Sequence, residues 1–495
     1  MSDSGRERRL ALLVCLLSAL RVAVFSVAFP FFGNVDEPSH FDLVCKYSRG
    51  HVPTGLEPWD RDAAELILLY GSPEYFEPAA AAHPGSSRGP RRPESVGERA
   101  AFEREVASWA ATENHESTQP PLYYLIAGAW YRVGAWIGLN GLWALYWTRS
   151  LNVVACGVLT WLAYVFARTA FPSSAFLRLG VPLLVAFFPQ DAFYTIGNDV
   201  LLPVFGGAAF LGLLSLVRGE HRRLASHAGT GLLVAGTFLV KFSGVALLPV
   251  AAGMAGFAAL RRRGGERRAA LVDGAVMLAA AAVPIAVWCL YNALVVGDVT
   301  ASAEKVRLLG WTPKPWATMF DHPIFSPSGV VTFWSQTLTT FWRGELVWGL
   351  KRLASPAWDL FYSVSSLAFV AASLVAPWSF KLESGLDEPP MRWSGLVLFV
   401  LSLAFLASIS VMYDFGECFY PSRAMPYLTS GRLALSALLP FAALYVSGLD
   451  AVLPPRVPAA VRWTLLIGLV ALMTFFEWQM SRVAFASAFN GFHAL

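Results

Sequence analysis

Apolar residues along this chain gather in long continuous runs rather than in alternating or heptad patterns, and about eleven of the runs have the length and character of membrane-spanning helices. They fall near 10–32, 146–167, 175–189, 201–217, 230–241, 245–260, 271–291, 358–378, 393–412, 433–453 and 463–485. Between them lie short Arg/Lys clusters, which mark the cytoplasmic side and let the topology be solved by parity. One further stretch, 120–139, is short, aromatic and interrupted by Arg132 and several glycines. If it spanned, Arg168, Arg178, the cluster 218–223 and Arg261-Arg262-Arg263 would all lie outside, against the positive-inside bias. It is therefore expected to be an interfacial or re-entrant helix. The two helices flanking Lys241 are short, which predicts half-length elements or a kink beside a cavity.

The pattern divides the chain into three parts. A transmembrane core over 1–291 includes a first external loop, 33–145, with juxtamembrane helices; a Pro/Arg/Ser-rich insert at 83–99 reads as a mobile loop within it. A second external loop, 292–355, carries Trp311, Trp316, Trp334, Trp342 and Trp348, a density that fits a lid or an interfacial belt. C-terminal transmembrane helices occupy 356–495. The first run follows Arg6, Arg8 and Arg9 and lacks an Ala-x-Ala site, so it reads as an uncleaved signal-anchor with its amino end in the cytoplasm. Arg21 sits in the middle of that run. It either snorkels or faces the bundle interior, and the second alternative requires a buried counter-charge.

Composition sharpens the class. Of the 495 residues 56% are apolar and only 15% charged, with a mean hydropathy of +0.50, which excludes an ordinary water-soluble globular chain. The net charge of +4 is small and its basic residues are scattered between apolar runs, so no nucleic-acid partner is expected. Five cysteines show no CxxC or Cys/His ligand spacing. Cys15, Cys156 and Cys289 lie within apolar runs, while Cys45 and Cys418 lie outside, where a disulfide is permitted but not indicated.

Parity places Asp36, Glu37, His40, His115, Glu116, Gln119, Arg149, Asn198, Asp199, Lys241, Arg423 and Arg432 on the external face. Carboxylates come from the first loops and cations from later spans. Such a pair of clusters suits a reaction in which an anionic group leaves as an acceptor is deprotonated. Each member also has a plainer reading. Asp36 and Asp199 stand where helix caps are expected, ahead of Glu37-Pro38 and of the span from Leu201. His40, His115 and Gln119 read equally as surface or loop polar groups, and Arg423 and Arg432 as interface snorkels. Lys241 is the hardest to dismiss, since an unpaired ammonium within an apolar run is costly.

The series Asn34-Val35-Asp36-Glu37-Pro38-Ser39-His40-Phe41 after the first span, His115-Glu116-Ser117-Thr118-Gln119-Pro120-Pro121-Leu122-Tyr123-Tyr124, Arg149-Ser150-Leu151-Asn152, Gly197-Asn198-Asp199, Lys241-Phe242-Ser243-Gly244 and Ser430-Gly431-Arg432 resembles GT-C fold glycosyltransferases. The kin it suggests are bacterial enzymes dependent on a lipid carrier, of the protein-mannosyltransferase and aminoarabinose-transferase kind. The resemblance implies an all-α polytopic bundle and transfer of a sugar from a polyprenyl-phosphate donor to a glycan, lipid or protein acceptor. It also implies a bacterial plasma-membrane protein with its site on the external face. Asp36 would be the general base, supported by Glu37, and the reaction would invert the anomeric centre. His40, His115, Gln119, Arg149, Lys241, Arg423 and Arg432 would bind substrate and phosphate. Asp36 and Asp199 would hold a divalent metal ion if one is used. Two rivals remain open from the residues alone: a transporter or flippase of a lipid-linked saccharide, and an inactive binding or assembly subunit.

Overall fold

Every apolar run named above folds as helix in the computed structural model, which describes residues 3–33, 36–83, 89–220, 223–375 and 389–494. Among the described residues nine helices are long and apolar enough to cross a membrane: Gly5–Ala28, Gly141–Ala170, Asn198–Arg218, Phe242–Leu260, Gly264–Val296, Pro356–Val375, Met391–Met412, Gly431–Val452 and Ala459–Phe485. Two shorter apolar helices, Ala175–Ala186 and Leu224–Val240, occupy the remaining expected positions. The protein is an all-helical, multi-pass membrane protein. Asn34 and Val35 of the opening motif, residues 84–88 of the insert, His221 and Arg222 of a basic cluster, and the end of the run to 378 lie outside the described residues.

Local chemistry explains where the helices stop. Lys241 adopts an extended backbone, φ −155° and ψ 135°, between Leu224–Val240 and the short 3-10 turn Phe242–Ala246, which produces the break expected there. Elsewhere helices approach closely where a side chain is missing. A Cβ on Gly448 would lie 1.7 Å from the carbonyl oxygen of Phe369, so Pro356–Val375 and the helix through Gly448 touch backbone to backbone.

The stretch 120–139 forms a separate helix, Leu122–Trp136, of 15 residues. It lies against the first-loop helix Glu37–Ser48, with Gly128 facing the backbone of Tyr47 and Ser48. Trp130 and Trp147 clasp it to the long helix Gly141–Ala170. Their rings stack at 4.7 Å with an interplanar angle of 2°, and each indole N–H donates to the other's backbone carbonyl, at 2.9 and 2.7 Å. β structure among the described residues is limited to three two-stranded antiparallel ladders and one isolated bridge, Phe31 with Gly71.

Arg21 faces the bundle interior. Its guanidinium pairs with Glu477 at 2.6 Å and donates to the carbonyls of Ala186 and Phe188 at 3.2 and 3.1 Å, while the Tyr194 hydroxyl also donates to Glu477. The counter-charge is supplied by the last long helix. Basic residues meet at one end of the bundle: Arg178 bonds Glu7, Arg218 donates to the Thr169 carbonyl at 2.7 Å, and Arg262 to the Leu216 carbonyl at 3.2 Å. Asp36 and Glu37 follow the other end of the first span, Gly5–Ala28.

Candidate functional site

Asp36 occupies the cap position of Glu37–Ser48, yet among the described residues its side chain makes no capping hydrogen bond. It turns instead to Arg432, which it pairs closely. Asp199 does not hold a cap position: it lies inside the 3-10 turn Asn198–Val200, Leu201 caps Leu202–Arg218, and the Asp199 carboxylate accepts from Lys241 at 2.6 Å. Capping does not account for either acid.

From these two pairs a chain of alternating charges extends across the bundle end. Lys241 holds Asp199 and the amide oxygen of Asn198, the latter at 2.9 Å. Arg432 lies 3.7 Å from Asp199 and bridges it to Asp36. His115 stands 3.8 Å from Asp36 and 3.4 Å from Glu116, and Glu116 accepts from Lys305 at 2.6 Å. A branch runs from Arg432 through Glu345, at 3.5 Å, to Arg352 at 2.6 Å. Four carboxylates thus face four permanent cations, with His115 as a further positive charge when protonated. Segments distant in sequence contribute every second link, so only the folded bundle assembles the site.

The electrostatics follow from this alternation. Burial opposes ionisation of Asp36, but Arg432, then His115 and His40, hold its carboxyl well below the usual carboxylate range. Burial likewise opposes charge on His115, and the carboxylates of Asp36 and Glu116 outweigh it, raising the imidazole to about 9. Glu116 is itself held below the ordinary range by Lys305 and His115 against its burial. The side chains of Asp36, His115 and Arg432 remain 17%, 26% and 13% exposed, so an approaching molecule can reach them.

Several residues expected at the site are elsewhere or otherwise engaged. Glu37 and Arg149 are fully buried and paired with each other at 2.9–3.0 Å. Arg149 also donates to the carbonyls of Ser26, Phe29 and Pro30 at 2.8, 2.6 and 2.9 Å, capping the orphan acceptors where the first helix ends. Glu37 accepts the backbone N–H groups of Phe32 and Ile196 at 2.7 and 2.9 Å. Glu37, expected at the catalytic centre, and Arg149, expected at the phosphate, are in this structure both locked into a sealed structural knot.

His40 is buried against the Tyr124 hydroxyl at 2.7 Å, and burial lowers its pKa to about 4, leaving a neutral ring unsuited to binding phosphate by charge. Gln119 donates to Glu116 and stands one step behind His115. Arg423 pairs with Asp414 and Glu417, at 3.2 and 3.8 Å, in a different cleft. The expected metal pair, Asp36 with Asp199, has Arg432 between its members. The ligand atoms that do converge on Asp36 are those of His115 and Glu116, all within 4.8 Å. All five cysteines are free thiols.

Lys305, Glu345 and Asp191 were not anticipated. Asp191 is buried, accepts the Glu345 backbone N–H at 2.8 Å and lies against Gly344, where any Cβ would collide with its carboxylate. Burial raises its pKa to about 7, countered in part by the Glu345 amide and Arg432. A signal was present: Arg343-Gly344-Glu345 is a charged triplet carrying a glycine inside an otherwise aromatic loop.

A family model described as "Predicted membrane protein (DUF2142)" matches residues 19–416. None of the curated proteins matches the sequence. Among solved structures, the Archaeoglobus fulgidus oligosaccharyltransferase tethered to an acceptor peptide containing the NVT sequon aligns at 11% identity with a TM-score of 0.44, over 98% of this chain and 56% of its own. The archaeal oligosaccharyltransferase AglB from the same organism, in complex with an inhibitory peptide and a dolichol-phosphate, aligns at 11% identity and a TM-score of 0.41, over 96% and 56%. The chain thus spans little more than half the length of these structures.

Proposed function

The chain belongs to the DUF2142 family of predicted membrane proteins, and from that premise we propose that it is an integral membrane glycosyltransferase of GT-C type. In this reading it moves a sugar from a polyprenyl-phosphate donor to an acceptor hydroxyl or amine on a glycan, lipid or protein. The sequence parity would put that reaction on the external face of the membrane, and the resemblance would make that membrane a bacterial plasma membrane. The observation that carries the reading is the partly exposed Asp36, joined in one network to Arg432, His115 and, through Asp199, to Lys241. A phosphate leaving group needs fixed cations, and a neutral acceptor needs a base aligned with the anomeric carbon.

Asp36 takes the acceptor's proton as the acceptor atom bonds to the anomeric carbon. The bond from that carbon to the phosphate oxygen breaks, and the polyprenyl phosphate departs onto Arg432 and Lys241 with inversion of the centre. The resting network also sets an order of events. Arg432 keeps Asp36 weakly basic, so the donor phosphate must first draw Arg432 away from the carboxylates; binding of the donor then strengthens the base. Asp36, His115 and Glu116 together offer one imidazole and two carboxylates within 4.8 Å of one another, a donor set suited to a divalent cation once His115 gives up its proton. They would hold such an ion, which would supply positive charge to the site. Against the transporter alternative, two buried charges in the middle of spans, Arg21 and Glu477, are spent on each other and, for Arg21, on backbone carbonyls.

The test is sugar transfer by the purified protein from a panel of radiolabelled polyprenyl-phosphate sugars. Asp36→Asn should lower the rate by about 10²- to 10⁴-fold, the range associated with a lost general base. Full transfer by folded Asp36→Asn would overturn the assignment.

A further inference from the structure

The second external loop and the segment after the span Met391–Met412 meet in a short ladder, Thr312–Pro313 against Tyr413–Asp414. The Lys314 N–H donates to the Met412 carbonyl at 2.8 Å, so this contact begins at the last residue of a candidate span. Between the two segments lies a cleft of about 480 Å³, within the range of small-molecule sites. Two cations, Lys314 and Arg423, and two carboxylates, Asp321 and Asp414, line it together with Tyr413. Asp414 and Arg423 pair at 3.2 Å, whereas the Lys314 ammonium makes no hydrogen bond or ion pair within 4.0 Å among the described residues.

Three exposed aromatics stand within two residues of lining residues. Trp316, Phe320 and Phe325 are 78%, 69% and 58% exposed, an arrangement expensive in water and usual for aromatic side chains at a bilayer interface. A mixed-charge cleft at the end of a span, beside three exposed aromatics, suits a ligand with both charges at its polar end and an apolar body behind it.

We propose that this cleft binds the headgroup of a zwitterionic phospholipid of the ethanolamine class. Its phosphate meets Lys314 and Arg423, its ammonium donates to Asp321 and Asp414, and the three exposed aromatics lie against the glycerol and upper acyl region. An anionic glycerol headgroup would place its phosphate before two carboxylates with no ammonium to satisfy them. A quaternary choline has no N–H to donate. A free phosphate-bearing headgroup without acyl chains would forgo those aromatics.

Binding to the intact, detergent-purified protein is measured by native mass spectrometry with phosphatidylethanolamine, phosphatidylglycerol, phosphatidylcholine, glycerophosphoethanolamine and a polyprenyl phosphate. The expected result is a site preferring phosphatidylethanolamine to each of the others by about tenfold or more, a difference of about 1.4 kcal/mol. Lys314→Gln, which leaves the Asp414–Arg423 pair intact, should weaken phosphatidylethanolamine several-fold, and Lys314→Gln with Arg423→Gln further. Asp321→Asn with Asp414→Asn should shift the preference toward phosphatidylglycerol. Equal affinity for the two lipids in the wild type overturns the proposal. So does unchanged phosphatidylethanolamine binding in the Lys314 variants, or a Lys314-dependent preference for polyprenyl phosphate.

Discussion

Asp36 and Glu37 are adjacent carboxylates at one helix start, yet they belong to two differently built regions. The Glu37–Arg149 knot is sealed: neither side chain is exposed, and its hydrogen bonds run to each other or to backbone. The Asp36–Arg432 region is also charge-balanced, but Arg432 is shared among Asp36, Asp199 and Glu345, and its members are partly exposed. The first arrangement can only hold segments together. The second can be rearranged by a ligand that competes for Arg432. Adjacency in sequence is thus poor evidence of a shared role; what separates the two is whether the partners are already exhausted.

The largest effect should come from breaking the sealed region. Arg149→Met leaves Glu37 buried without its partner, and removing one member of such a pair costs about 3–5 kcal/mol. A steep loss of folded protein in detergent, read by thermal unfolding, is the expected result; an unchanged melting temperature would place Arg149 outside the core of the knot.

Next comes the open region. Arg432→Lys keeps the charge but not the planar fork that reaches Asp36, Asp199 and Glu345. Transfer should fall by one to two orders of magnitude, about 1.4–3 kcal/mol of barrier, with a much smaller change in melting temperature. A fall in melting temperature as steep as that of Arg149→Met would erase the distinction between the regions.

Asp191 offers a pH test of what lies behind the open region. Its folded pKa, about 7, is above the ordinary carboxylate value, so the folded state binds the proton more tightly than the unfolded chain. The resulting stability is fully present below about pH 4 and lost as pH rises through 7. The wild type should therefore lose more melting temperature between pH 5 and pH 8 than Asp191→Asn does. Identical pH profiles would contradict the buried, proton-holding state of Asp191. The smallest effect belongs to Gln119→Ala, which removes one hydrogen bond to Glu116. A change of about 0.5–1.5 kcal/mol in stability is expected, and a larger one would make Gln119 part of the network's frame.

The spans were legible because a bilayer-length apolar run reports directly on the helix it forms, and the break at Lys241 because a charge there requires local accommodation. Pairing was not legible. Arg21 announced that it needed a counter-charge, but nothing local points to Glu477, which the last long helix brings from the other end of the chain. Arg149 was assigned to the phosphate by the resemblance alone; its partners in the structure are Glu37 and carbonyls at the end of another helix, and those carbonyls carry no sequence signature. Lys305 and Glu345 were hidden in loops whose aromatic content drew attention to the membrane interface. Their place in the site depends on how those loops fold back on Glu116 and Arg432.

Measuring transfer rate per folded molecule and melting temperature for Asp36→Asn and Glu37→Gln side by side decides whether Asp36 is the reactive carboxylate and Glu37 the structural one. Asp36→Asn should stay folded near the wild-type melting temperature and lose transfer, while Glu37→Gln should lose stability and its remaining folded fraction still transfer. Wild-type transfer by folded Asp36→Asn, or a stable but inactive Glu37→Gln, would contradict that assignment.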